Sequence, residues 1–243
     1  LKLTLIKSGT IFKKNIFKII ISFFVIIFSL LKSLLILTKR KPFLVFGMGG
    51  YSSFPICLAA KILKIPFIIY ENNLLLGKSN RYLLPFADKI FVSYSELEGV
   101  NKKYLNKVVL IGNIIRDEIL NFKTANKNND VLSILILGGS QAAKSFGDKL
   151  PPVFQRCIEE NIKIKIFQQC VVSQNDMLKE KFNSLNIDFK LFNFSNNILE
   201  YFSKVDLVIT RSGASIIAEL VNCNIPFISI PFPHAADNHQ EKN

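Results

Sequence analysis

Three short turns in this 243-residue sequence carry residues suited to holding an anion: Gly47-Met-Gly-Gly50, Gly138-Gly-Ser140 and Ser212-Gly213. Each follows an apolar run of strand length. Glycine lets backbone N–H groups approach a phosphate closely, and a helix that starts there adds its own unpaired N–H groups. Glycines of this kind serve equally well as plain strand-to-helix turns. None of the three completes GxGxxG, and Gly77-Lys-Ser79 lacks the earlier glycine of a P-loop. Polar side chains sit beside the turns. Ser140 and Gln141 suit phosphate oxygens, and Arg116 and Arg211 offer cations. Glu219, in the helical stretch after Gly213, has a carboxylate able to accept from two adjacent ribose hydroxyls. Asp237, Asn238, His239, Gln240 and Asn243 cluster as readers of sugar hydroxyls. Beside a nucleotide turn, that cluster points to a sugar nucleotide. His234 and His239 are the only histidines, with no paired cysteines or HExxH frame, so no metal site is expected.

The elements that must position these residues read as alternating strands and helices. Asp206–Thr210, Ser215–Val221 and Phe227–Ile230 form one βαβ unit. Earlier strands are expected at Phe43–Phe46, Phe67–Tyr70, Lys89–Ser93, Val108–Ile111, Ser133–Leu137, Lys163–Phe167 and Phe189–Phe192. Helices are expected at Pro55–Leu63, Pro152–Glu160, Asn175–Leu185 and Asn197–Ser203. A polar break at Lys123–Asp130 separates two groups of strands. The fold class is therefore α/β, with parallel sheets in two domains, residues 1–116 and 117–243.

Composition narrows the function classes. Hydrophobic residues make up 49% and charged residues 20%, which excludes a disordered chain. Residues 1–116 hold 18 Lys/Arg against 4 Asp/Glu, whereas residues 117–243 hold 13 against 14. The basic half therefore faces something acidic: nucleic acid, an anionic membrane or a phosphorylated substrate. No nucleic-acid motif accompanies the charge, so nucleic acid is not the expected partner. Cys57, Cys157, Cys170 and Cys223 are widely spaced and read as buried thiols of a reducing compartment. Residues 11–38 hold the most apolar stretch, Ile19–Leu31, and Lys14, Lys18, Ser22, Ser29 and Lys32 fall at helical spacings in one narrow polar stripe. The favoured reading is a membrane-surface or lipid-facing helix; a core helix and a true span are the alternatives.

Six segments occur in order: GMGGYSSFP at 47–55, ENN with GKSNR at 71–81, GNIIR at 112–116, GGSQ at 138–141, RSGASIIAE at 211–219 and PHAADNHQ at 233–240. Together they resemble the MurG family of glycosyltransferases, glycosyltransferase family 28, over nearly the whole chain. The resemblance implies a GT-B fold, two Rossmann-like domains whose parallel sheets face a cleft, with an incomplete N-terminal domain here. It implies inverting transfer of GlcNAc from UDP-GlcNAc to the C4 hydroxyl of undecaprenyl-diphospho-MurNAc-pentapeptide, with no cofactor or metal. It implies a peripheral place on the cytoplasmic side of the bacterial inner membrane, through the Lys-rich apolar stretch.

Carried over by position, Ser140 meets the donor diphosphate with Gln141 beside it, and Arg116 faces the same nucleotide sugar. The backbone at Ser195 meets the uracil. The run Ala214, Ser215, Ile216, Ile217, Ala218 and Glu219 cradles the nucleotide, with Glu219 on the ribose. Gln240 and Asn243 read the GlcNAc hydroxyls, and Asn73 lines the cleft. The family's glycine-rich opening loop, which ends in the expected base, would lie before Leu1, and the closing C-terminal helices are also expected beyond this chain. The family's HEQN is Tyr70-Glu-Asn-Asn73 here, and Ala142 replaces a glycine. A related transferase acting on diacylglycerol, and a non-catalytic membrane-bound nucleotide-binding remnant, remain open alternatives.

Overall fold

The computed structural model describes residues 4–6, 16–123, 130–233 and 238–243, without the side chains of 16–19 and 140–143. The chain divides into two compact units, one within Leu1–Asn113 and one within Ile114–Glu241.

The first unit begins with α1 (Ile16–Arg40), followed by β1 (Val45–Gly47), α2 (Gly50–Ile62), β2 (Phe67–Glu71), α3 (Lys78–Leu83), β3 (Lys89–Val92) and β4 (Val108–Leu110). The strands form a parallel sheet in the order β1-β2-β3-β4. Its core gathers Val45, Phe67, Ile69 and Ile90 from the strands, Cys57, Ala59 and Ala60 from α2 and Leu37 from α1. Burial pushes the Cys57 thiol up to about 12, since a thiolate there would lose its hydration. Cys170 and Cys223 are also buried, but Cys157 is only half-buried, which corrects the expectation of four buried thiols.

α1 reverses the usual arrangement of a surface helix. Ser22, Ser29 and Ser33 are 3%, 1% and 0% exposed, while Phe24, Phe28 and Leu35 are 64%, 69% and 73% exposed. The serines of the expected polar stripe thus face inward rather than outward with Lys32. The Ser33 hydroxyl is satisfied within the helix, donating to Ser29 O at 2.7 Å. Leu30, Leu34 and Leu37 carry the same side of the helix into the core. On the outer side, Lys32 Nζ donates to Leu5 O and an Arg40 Nη donates to Thr4 Oγ1, both at 2.8 Å. Lys14 and the side chain of Lys18 lie outside the described residues. Ile20–Arg40 is long and apolar enough to cross a membrane, with a mean hydropathy of 2.7.

The second unit runs α4 (Asp117–Leu120), β5 (Leu132–Leu137), α5 (Gly139–Lys149), α6 (Pro151–Glu159), β6 (Ile164–Gln169), α7 (Asn175–Ser184), β7 (Asp188–Phe192), α8 (Leu199–Phe202), β8 (Leu207–Arg211), α9 (Ala214–Asn222), β9 (Phe227–Ile230) and α10 (His239–Lys242). The parallel sheet has the order β7-β6-β5-β8-β9. β5, with the sequence LSILIL, is apolar on both sides because both are covered. Ile134 and Ile136 pack with Phe146, Leu150, Phe154, Leu178 and Phe182 from α5–α7 and the loop between α5 and α6. Leu135 and Leu137 pack with Ile119, Phe202 and Leu220 from α4, α8 and α9. α3 and α5 were not expected from sequence. α5 is mostly small and polar (GSQAAKSFGDK), with no apolar stripe to announce it.

α5 is seated by an internal amide. Gln174 is buried, and its Nε2 donates to Lys144 O at 3.0 Å and to Asp148 Oδ1 at 2.6 Å. A Cβ at Gly147 would lie 2.6–2.8 Å from that amide group, which is pinned and cannot retreat. Gly147→Ala is therefore expected to destabilise the second unit by about 1–3 kcal/mol, read as a lower midpoint in denaturant titration.

Candidate active site

Strand order fixes where a ligand can enter the second unit. From β5 the chain moves one way through β6 and β7, then returns to β8 on the other side of β5 and continues to β9. The crevice of such a sheet opens at the carboxyl ends of β5 and β8, where the order reverses. Two of the glycine turns meet there. β5 ends at Leu137, Gly138 follows, and Gly139 opens α5 in the left-handed region at φ 63°. β8 ends at Arg211, and Gly213 precedes α9 in an extended conformation with no side-chain cap. The first-turn N–H groups of two helices thus converge on one edge of the sheet; neither N-cap residue supplies a side-chain cap, and the Gly139 N–H is taken by Gln169 Oε1.

A carboxylate is held on the second of these helices. Glu219 lies in α9, and Arg116 grips it with a two-pronged bond: Nε to Oε1 at 3.1 Å and an Nη to Oε2 at 2.9 Å. Packing brings the pair together across 103 residues of sequence. Ile115 and Ile119, on either side of Arg116, enter the same core as Ile216 and Leu220 of α9. The side chains of Arg116 and Glu219 are 46% and 17% exposed, so the pair contributes at most about 1 kcal/mol to folding. Its larger effect is geometric, because it fixes the plane of the Glu219 carboxylate. The run 214–219 does not act as one surface. Ala214 and Ala218 are buried and Ile216 packs inward, so the run offers first-turn N–H groups plus the side chains of Ser215 and Glu219.

Residues 1–92 match the glycosyltransferase family 28 N-terminal domain, and residues 133–243 match the glycosyltransferase family 28 C-terminal domain. The chain belongs to glycosyltransferase family 28. A UDP-N-acetylglucosamine--N-acetylmuramyl-(pentapeptide) pyrophosphoryl-undecaprenol N-acetylglucosamine transferase of Pelagibacter ubique is 37% identical over 230 residues, 95% of this chain and 64% of the relative. The transferase of the same description from Rickettsia canadensis is 39% identical over 219 residues, 88% of this chain and 62% of the relative. The chain thus spans less than two thirds of the length of these relatives. Acinetobacter baumannii MurG superposes with a TM-score of 0.68 at 24% identity, covering 91% of this chain and 62% of that one. The two parallel-sheet units are those of the GT-B fold.

Other residues expected to form the family 28 site have definite places. The backbone of Ser140 and Gln141 lies in the first turn of α5, and their side chains are outside the described residues, as are His234 and Asp237 entirely. Ser195 follows the exposed Phe194, and its Oγ accepts the Asn197 N–H at 3.2 Å. Gln240 Oε1 accepts the Phe232 N–H at 2.9 Å, and Asn243 Nδ2 donates to Ser212 O at 3.1 Å. Asn243 is therefore held against the β8–α9 turn. Asn73 lies in the first unit, just past the end of β2. Tyr70, at the position of the family's histidine, is buried and its hydroxyl shares a hydrogen bond with Ser93 Oγ at 2.7 Å. Among the described residues no three His, Cys, Asp or Glu side chains come together.

Two residues behave differently from their sequence reading. Arg211, expected to contact phosphate, is buried under the crevice. Its guanidinium lies 4.3 Å from the Phe146 ring and 5.5 Å from the Phe232 ring, and an Nη donates to Pro231 O at 3.1 Å. Desolvation lowers its pKa. Gln169 carries no sequence signal at all, yet it ties the edge together. Its Oε1 accepts the Gly139 N–H at 3.1 Å, and its Nε2 donates to Asn193 O at 3.3 Å. Arg211→Lys keeps the charge but loses the planar stack on Phe146 and the guanidinium bond to Pro231 O. It is expected to cost about 1–3 kcal/mol of stability, measured by denaturant titration.

Proposed function

We propose that the full-length protein transfers GlcNAc from UDP-GlcNAc to the C4 hydroxyl of undecaprenyl-diphospho-MurNAc-pentapeptide, with inversion, in peptidoglycan synthesis. The observation that supports this reading is the meeting of two helix N-termini at the switch point of the second unit, with the two-pronged Arg116–Glu219 pair on one of those helices. Helix N-termini stabilise the diphosphate, which gains charge as the sugar departs. Ser140 and Gln141 meet the diphosphate from the first turn of α5. Glu219 accepts from the ribose hydroxyls, since each carboxylate oxygen keeps acceptor capacity beyond its bond to Arg116. The backbone at Ser195 meets the uracil, Gln240 and Asn243 read the sugar, and Asn73 is a further substrate-binding residue. Every group assigned here binds or orients; no base is assigned.

The acceptor named in the relatives is a polyprenyl lipid, and the first unit is suited to a lipid surface. The outer face of α1 exposes Ile21, Phe23, Phe24, Phe28, Leu31 and Leu35. Residues 1–41 carry nine basic side chains and no acidic one. An apolar face with basic flanks suits the interface of an anionic membrane. We place the protein on the cytoplasmic side of the inner membrane, as a peripheral enzyme.

Radiolabelled GlcNAc transfer to the lipid-linked acceptor by the full-length protein tests the activity; transfer to diacylglycerol instead would overturn the assignment. Glu219→Ala and Arg116→Ala are each expected to raise the KM for UDP-GlcNAc by about 10–100-fold, and the double variant by little more than either. Unchanged donor affinity in Glu219→Ala would remove the ribose role. Flotation should show binding to vesicles containing anionic phospholipid, with loss of binding in Phe24→Ser/Phe28→Ser.

A further inference from the structure

Gln169 is the last residue of β6, the strand that lies between β5 and β7. The chain segments on its two sides carry different parts of the proposed nucleotide site. The β5–α5 turn leads to Ser140 and Gln141, which the proposed function gives to the diphosphate. The loop after β7 leads to Ser195, which it gives to the uracil. The β5–β6 ladder runs only to the pair Ile136–Gln168. Beyond that pair the link is a side chain: Gln169 Oε1 accepts the Gly139 N–H at 3.1 Å, and its Nε2 donates to Asn193 O at 3.3 Å. One amide thus spans three adjacent strand ends.

The bridge is chemically selective. Gly139 offers an N–H and Asn193 a carbonyl, so the bridging group must accept at one atom and donate at the other. Glutamate of the same length offers only acceptors, and lysine offers only donors. Both ends of the bridge are backbone groups whose direction matters. Gly139 is the first residue of α5 and is left-handed, so the hold on its N–H sets the aim of the first turn. Asn193 is bound a second time, its own Nδ2 donating to Cys170 O at 2.9 Å, while Cys170 N donates to Phe192 O at 3.0 Å. Both bonds of Gln169 are open to solvent and add little to folding. What they fix is the spacing between two turns.

We infer that Gln169 is a positioning residue: by bridging Gly139 and Asn193 it sets the diphosphate turn and the uracil loop at one spacing, so that a single UDP engages both. This inference rests on the proposed nucleotide site, and its test separates the two. Two subsites at a matched spacing hold a linked ligand far better than its parts, and loss of the spacing weakens the linked ligand selectively. In the full-length protein, Gln169→Met removes the bridge at similar side-chain length. It is expected to raise the Kd for UDP and UDP-GlcNAc about 10-fold by calorimetry, with the Kd for uridine changed less than about 2-fold by NMR titration.

Gln169→Glu gives a second arm. Ionised, its carboxylate opposes both Asn193 O and the diphosphate, so binding at about pH 8 should be weaker still. Protonated, the same carboxyl accepts from Gly139 and donates to Asn193, as the amide does. Its affinity for UDP-GlcNAc, taken relative to the parent at each pH, should therefore rise about 5-fold between about pH 8 and about pH 5. Uridine weakened as much as UDP in Gln169→Met, UDP bound as tightly as by the parent, or no relative recovery of Gln169→Glu at low pH overturns the inference. A parent that binds UDP-GlcNAc but transfers no GlcNAc overturns the function reading alone, and the binding ratios still decide the role of Gln169. A parent that does not bind UDP-GlcNAc overturns both.

Discussion

Burial of β5 on both faces is the constraint from which the second unit follows. A strand with Ile, Leu, Ile, Leu in succession must be sandwiched between helices, and a right-handed crossover puts each of those helices after a strand. The chain leaves β5 in one direction and later returns on the other side. Two helix N-termini then have no place to point except the same edge. The polar chemistry at that edge depends on an apolar strand that touches none of it.

What could be read from the sequence follows from how local each signal is. The βαβ unit of β8, α9 and β9 was legible because strand, glycine turn, helix and strand are consecutive and strongly apolar. α5 was not legible, because its seat is supplied by Gln174 from outside the helix and by a glycine that makes room for it. The Arg116–Glu219 pair could be named one residue at a time, but its union could not, since it depends on α4 docking on α9. Gln169 was invisible because a glutamine at a strand end is usually bland; only the neighbouring strand ends give it work. Arg211 was misread because a cation beside a glycine turn suggests phosphate, whereas two aromatic rings and the carbonyls after β9 claim it first.

The two units use buried polar groups in opposite ways. Under the second crevice a cation is buried among aromatic rings. In the first unit an anion, Glu71, is buried among the N–H groups of Asn73, Gly77 and Asn80. Each is surrounded by neutral groups, and the Arg211 Nε is left without a hydrogen-bond partner. Such groups specify orientation more than they add stability, and a small error in their surroundings is felt at the loop they hold.

The reversed faces of α1 bear on how a substrate is found. On the proposed membrane reading, a helix that hides its serines and displays its phenylalanines would partition out of water, and a protein so held would explore a plane instead of a volume. An acceptor anchored in that same plane is then met at an effective concentration set by membrane area rather than by cell volume. Modest intrinsic affinity for such an acceptor would suffice, and release of the product would not require the protein to leave the surface.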